Sequence, residues 1–288
     1  MTNAVAKSDL KGFLAVHESV KRPSLLDLGA IIGEWKVAAF LGSGGHAEVY
    51  RVVRDSDGLA AAAKVLIRSD EASKMRFHQE VTLLSAQIGT YFAKFYASGE
   101  VDGQPYFVSE LLEPIDLPES EHEIVRYLLT VCRAAKVLHQ AGFIHRDIKP
   151  SNIMRRANGE IVLIDLGLVK AAVRSSELEE NVSLVSGNAS AVGTLRFAAP
   201  EQMMGDKVTA ATDVHAIGWL AYMAFGMNLP RRWKPIIRQA TSSIPNLRYP
   251  SVSALAHAIR RRNDRRNALL AMALLAAGAI LFSVSLVL

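Results

Sequence analysis

The segment His145-Arg146-Asp147-Ile148-Lys149-Pro150-Ser151-Asn152 sets a carboxylate, an ammonium and an amide in one short loop. Those types in that order suit phosphoryl transfer. Asp147 can accept or orient the proton of an attacking hydroxyl. Lys149 can meet charge on a moving phosphoryl group, and the amide oxygen of Asn152 can help hold Mg²⁺. Such a reaction asks the protein mainly for position and charge. The chain must therefore also supply a phosphate cradle, another cation and another metal ligand, each on an element that holds it.

A cradle stands upstream, in Leu41-Gly42-Ser43-Gly44-Gly45-His46-Ala47-Glu48-Val49-Tyr50, after an apolar run from Trp35 that reads as a strand. Gly42 and Gly44 let the backbone approach phosphate oxygens with its N–H groups facing them. A dinucleotide-binding loop would lead straight into a helix. Here residues 49–55 alternate and continue as a second strand. A third strand, Leu59–Arg68, carries Lys64, and a helical stretch beginning at Glu71 carries Glu80. Two more strands meet at an Asp102-Gly103 turn. A short apolar strand from Ile161 ends at Asp165.

Together these motifs resemble eukaryotic-like, bacterial-type Ser/Thr protein kinases over roughly Trp35 to Ile259. The resemblance implies an α+β, bilobal protein-kinase fold. Its β-rich N-lobe would cover about residues 35–112 and its helical C-lobe about 113–259, with ATP and Mg²⁺ between them. In that family the lysine matching Lys64 positions the phosphates and pairs with the glutamate matching Glu80. Asp147 and Lys149 match the catalytic residues, and Asn152 and Asp165 match the metal ligands. Nucleotide contacts are implied at Leu41, Gly42, Ser43, Gly44, Gly45, Val49, Ala62, Lys64, Glu110, Leu112 and Met154. Ser109 takes the gatekeeper position, and backbone groups of Glu110 and Leu112 would bond the adenine. Two departures stand out: Ala47 replaces the third glycine of the loop, and Leu166 replaces the phenylalanine after the metal-binding aspartate.

The segment Gly193–Gln202 resembles the family's A-P-E region. There Thr194 would lie beside Asp147 and Lys149, and Glu201 would pair with Arg248 as scaffolding. Asp213 would anchor the catalytic loop from a buried helix. A lysine at the spacing of Lys149 points to serine or threonine acceptors. The activation segment, Asp165 to Glu201, carries Ser175, Ser176, Ser183, Ser186, Ser190 and Thr194. With Arg146 preceding Asp147, the resemblance implies autophosphorylation within that segment. Only a few residues separate Gly226 from the helix-like stretch at Leu229–Thr241, so the C-lobe reads as abbreviated.

Of the 288 residues, half are hydrophobic, ample for two cores, and Cys132 is the one cysteine. No disulfide framework is possible, which fits a reducing cytosol. Residues 1–34 read as a flexible or loosely docked extension without a secretory signal. Residues 268–288 carry no charge; as a helix they span roughly 30 Å, a bilayer's hydrocarbon thickness. The preceding residues 260–267 hold Arg260, Arg261, Arg262, Arg265 and Arg266 against Asp264, most of the chain's formal charge of +5. That concentration argues against a nucleic-acid-binding face. It fits a single-pass anchor in the cell (inner) membrane, its basic flank meeting anionic lipid and the catalytic domain facing the cytoplasm. Ala276, Ala277 and Gly278 could let two such helices pack as a homodimer. On this reading no external sensor domain is expected beyond the anchor.

Two rival readings use the same motifs. A pseudokinase scaffold would not need Lys64, Glu80, Asp147, Asn152 and Asp165 all at once. An enzyme acting on a small molecule or lipid would not need the A-P-E-like segment.

Overall fold

Alternation of apolar side chains builds the first layer. The structure, a computed structural model, describes residues 24–68, 70–171 and 196–264. Strands β1 (Ile31–Ile32), β2 (Trp35–Ser43), β3 (Ala47–Arg54) and β4 (Ala60–Leu66) run antiparallel in sequence order. Helix α1 (Glu71–Ser85) follows, and β5 (Phe95–Val101) and β6 (Gln104–Glu110) complete the sheet in the order β1-β2-β3-β4-β6-β5. The four-alanine run of β4 shows what the two-residue period does. Ala61 and Ala63 are sealed under the sheet with Trp35, Tyr50 and Val108, which turns Ala62 and Lys64 to the opposite face. The β5–β6 hairpin closes at Asp102 and Gly103, both at positive φ (51° and 72°), as a two-residue turn between right-twisted strands requires.

Asp70 starts α1: its carboxylate accepts from the Ser73 N–H at 3.0 Å and the Ser73 hydroxyl at 2.8 Å. Phe77, Glu80, Leu83 and Leu84 lie on its buried face, the helical spacing of a core-facing stripe. That stripe packs on Phe107 and Leu66 and joins the larger core below.

The second layer is helical. After β7 (Glu113–Pro114) come α2 (Glu121–Gln140), β8 (Phe143–Ile144), β9 (Ile153–Arg155), β10 (Ile161–Leu163) and β11 (Lys170–Ala171). Strands β10-β9-β7 form one small sheet and β11-β8 another. Helices α3 (Pro200–Met204), α4 (Ala210–Phe225) and α5 (Lys234–Ala240) follow, and residues 252–264 form a last helix, α6. Helix α4 is buried on most of its sides, as a helix so largely apolar must be. Gly218 lets α5 close against it, because a Cβ there would lie 2.8 Å from both Ala240 Cβ and Thr241 Cγ2.

Residues 24–34, expected as part of a loose extension, are docked. Leu26 and Ile32 are buried in the core under the sheet, and β1 extends the sheet itself. The Leu25 N–H donates to Glu48 Oε2 at 2.9 Å and the Leu26 N–H to Tyr50 Oη at 3.0 Å. These apolar groups are too short to show a period, so the boundary was invisible in sequence. The proposed anchor at 268–288, the end of the basic flank, Thr194 and the activation-segment serines lie outside the described residues. Among the described residues, no helix is long and apolar enough to cross a membrane.

Candidate active site

Helix α4 builds the catalytic loop from below. Asp213, fully buried, accepts from the backbone N–H of His145 and of Arg146, each at 2.9 Å. The same carboxylate meets His139 Nε2 at 2.7 Å. Arg146 is thereby held at φ 71°, a left-handed backbone that costs a non-glycine residue about 1–3 kcal/mol. The strain aims the next residue, Asp147, into the cleft. Gln202 helps from α3: its Nε2 donates to the Arg146 carbonyl at 2.9 Å, a partner that sequence reasoning missed because glutamine has no fixed signature.

Three side chains of the loop then converge. Lys149 Nζ donates to Asp147 Oδ2 at 2.8 Å. Asn152 Nδ2 donates to the Asp147 carbonyl and to Asp147 Oδ2, both at 2.9 Å. With its nitrogen spent on Asp147, Asn152 has its amide oxygen for a cation. The second metal candidate, Asp165, stands two residues after β10 at φ 64°. Two oxygen donors suit Mg²⁺, a hard ion that keeps waters and takes phosphate oxygens to fill its shell. Among the described residues no group of three or more His, Cys, Asp or Glu is placed to hold a metal alone.

Lys64 reaches the same space from β4. Its Nζ lies 2.6 Å from Glu80 Oε2 and 3.5 Å from Asp165 Oδ1, so sheet, helix α1 and the β10 loop meet at one ammonium. Burial alone would pull that ammonium down; the Glu80 and Asp165 carboxylates outweigh it and hold Lys64 above the ordinary lysine range. Lys64 in turn holds Asp165 below the usual carboxylate range. Burial pushes Asp147 the other way, above that range, against the pull of Lys149. One cavity thus contains a carboxylate kept ionised and another made more basic, the division a metal ligand and a proton acceptor need.

The cavity is about 450 Å³. Gly44, Gly45, Val49, Lys64, Glu80, Asp147, Lys149 and Asp165 line it, together with His46, Ser73, Arg76, Arg146, Leu168 and Gln202, which sequence reasoning had not assigned to the nucleotide site. Leu41, Gly42, Ser43, Ala62, Glu110, Leu112, Asn152 and Met154 do not line this space. Several of them follow the cleft toward the β6 end: Ala62 pairs with Ser109 across β4 and β6, and Met154 with Pro114 across β9 and β7. The Glu110 N–H donates to the Lys94 carbonyl at 2.8 Å, so of that residue's backbone only the carbonyl could serve a purine.

Away from the cavity, Arg248 grips Glu201 with both terminal nitrogens at 2.7 Å, and the Thr212 hydroxyl donates to Glu201 at 2.9 Å. This buried clamp ties the end of the activation segment to α4 and to the segment before α6, the scaffolding role expected for it.

Residues 35–258 match the family model described as "Protein kinase domain". A probable serine/threonine-protein kinase of Corynebacterium efficiens is 30% identical over 208 residues, covering 67% of this chain and 30% of that protein. The serine/threonine-protein kinase PknB of Mycobacterium tuberculosis is 29% identical over 208 residues, covering 65% of this chain and 32% of that one. The chain thus spans about a third of the length of these curated relatives. Among solved structures, the PknI kinase domain of Mycobacterium tuberculosis superposes with a TM-score of 0.63 at 20% identity, covering 82% of this chain and 99% of that one. The fold is that of a kinase domain, a β-sheet lobe on a helical lobe. The chain belongs to the protein kinase family, among the eukaryotic-like serine/threonine kinases of bacteria.

Proposed function

We propose that this chain transfers the γ-phosphate of ATP to serine and threonine hydroxyls of proteins, itself included. The observation that carries this reading is the convergence of Lys149 and Asn152 on Asp147, at 2.8 and 2.9 Å, with Asp147 and Lys149 lining the cavity that also holds the Lys64–Glu80 pair and Asp165. Lys64, steadied by Glu80, positions the phosphates of ATP. Asp147, made more basic by burial, orients the acceptor hydroxyl and takes its proton. Lys149 offsets charge on the transferring group. The backbone of Gly42 to Gly45 covers the phosphates, Leu41, Val49, Ala62 and Met154 enclose the base, and Glu110 and Leu112 bond its edge. Asp165 and Asn152 would hold Mg²⁺, which would supply charge neutralisation for the phosphates. Base and positioning roles of this kind contribute about 10²–10⁴-fold each.

The same reading places the chain at the cell (inner) membrane, through residues 268–288, with the arginines of 260–267 on the cytoplasmic side against anionic lipid. The small residues Ala276, Ala277 and Gly278 favour close packing of two such segments, and so a homodimer in which one copy presents its activation segment to the other. The test of acceptor class is incubation of the full chain in lipid nanodiscs with Mg²⁺, labelled ATP and a generic basic acceptor protein. Label on phosphoserine or phosphothreonine supports the proposal. Label confined to extracted lipid or metabolites contradicts it. Alkaline carbonate extraction of membranes tests the anchor: full chain retained and a chain ending at residue 264 released is the expected pair of results.

A further inference from the structure

Behind the cleft lies a partly buried ion pair that the chemistry above does not use. Arg156 follows β9 and is 11% exposed in its side chain; Glu110, at the end of β6, is 16% exposed. Arg156 Nε donates to both Glu110 oxygens, at 2.9 and 3.0 Å. Its Nη1 donates to the Thr90 carbonyl at 2.8 Å and its Nη2 to the Phe92 carbonyl at 3.0 Å. Glu160, four residues on, completes the set at 3.3 Å from Nη1.

The three nitrogens of a guanidinium sit in one rigid plane, so segments bonded to all three are fixed relative to one another. One segment is the β9–β10 turn, flanked by Asn152 on one side and Asp165 on the other. Another is the end of β6. The third is the stretch after α1, the helix that carries Glu80. Nearby, the Leu163 N–H donates to the Tyr91 carbonyl at 2.9 Å, so the backbone joins the two layers at the same point. Arg156 itself does not line the cavity.

We infer that Arg156 is a positioning residue for phosphoryl transfer: by clamping the Glu110 carboxylate and the Thr90 and Phe92 carbonyls to the β9–β10 turn, it sets where the Glu110 backbone meets the base of ATP. The inference rests on the kinase reading. It assigns Arg156 to nucleotide affinity more than to the chemical step, because Lys64, Asp147 and Asp165 keep their own supports when the clamp is cut.

The test uses the full chain and four variants, R156M, R156K, E110Q and R156M/E110Q, with Mg-ATP binding measured by calorimetry and transfer to a generic acceptor measured against ATP concentration. Losing a charge-assisted bond in the clamp raises the Kd and KM for ATP about tenfold in R156M, while kcat stays within about threefold. R156K does not restore affinity, since a point charge cannot bond the three segments together. R156M/E110Q is no weaker than R156M, because both changes cut one linkage. If R156M fails to fold, E110Q decides, with an expected rise of about threefold in Kd. Variants that melt earlier yet bind Mg-ATP as tightly as wild type overturn the assignment and leave Arg156 a scaffold residue. A wild-type chain that binds no Mg-ATP overturns the assignment together with the kinase reading.

Discussion

Asp213→Asn keeps the volume of a buried side chain and changes only its hydrogen bonding. The carboxylate now accepts two backbone N–H groups and faces His139. An asparagine has one acceptor oxygen, so either the His145 or the Arg146 N–H must face an NH₂ donor. One orphaned buried donor costs about 1–3 kcal/mol, and the bonds that remain lose their charge assistance, about 1 kcal/mol more. The sum is roughly 2–4 kcal/mol, or a fall in Tm of about 5–15 °C for a domain of this size. Function should fall further than stability. Arg146 holds its strained φ of 71° while Asp213 grips its N–H; once released, the loop relaxes and moves Asp147. A displacement near 1 Å at a reacting group costs about 10²-fold. The assay pairs a thermal melt with the transfer rate measured well below the melting range. The effect also has a pH signature. Burial raises the pKa of Asp213, but its bonds outweigh burial and hold it below the ordinary 3.8. A depressed carboxylate gives stability that is complete above that value and is lost as pH falls through the folded pKa. The gap in Tm between wild type and D213N should therefore narrow below about pH 4. A variant with Tm within about 2 °C of wild type and an undiminished rate would refute this reasoning.

Cutting the buried clamp at α3 by Arg248→Met leaves Glu201 charged and unpaired, and should cost about 3–5 kcal/mol in chemical unfolding; E201Q/R248M should recover part of that loss. Because burial raises Asp147 and transfer needs it ionised, kcat/KM should drop on the acid side as pH falls through a pKa above the usual carboxylate value of 3.8; an acid limb at or below that value would count against Asp147 as the base. Cys132 is buried and its thiol is pushed up to about 12. A thiol reagent at pH 8 should leave the native chain unmodified and label it only on unfolding; rapid native labelling would show that the α2 face opens.

Residues whose chemistry demands one type at one spacing were legible in the sequence. Asp147, Lys149 and Asn152 share a loop; the pairing of Lys64 with Glu80, sixteen residues on, was read through resemblance to the kinase family. Asp213 and the Glu201–Arg248 pair were legible through resemblance alone, since nothing local marks a buried acid that caps a distant loop. Arg156 was not legible. It follows a short strand in a turn of polar residues, where an arginine is ordinarily a solvated charge, and its partner Glu110 is 46 residues away. Residues 24–34 were missed because strand β1 is two residues long and Leu26 is buried singly. Gln202 was missed for a different reason: glutamine is neither charged nor periodic, and only the fold brings it to the Arg146 carbonyl.

The most direct measurement is incorporation of labelled phosphate from Mg-ATP by the full chain beside Asp147→Asn and Lys64→Met, with phosphoamino-acid analysis and nucleotide binding read on the same samples. The account predicts phosphoserine or phosphothreonine on wild type, loss of about 10²-fold or more in both variants, and ATP binding largely kept in D147N. Wild-type incorporation in D147N, or ATP bound by wild type with no phosphate transferred in a membrane-reconstituted sample, would contradict it.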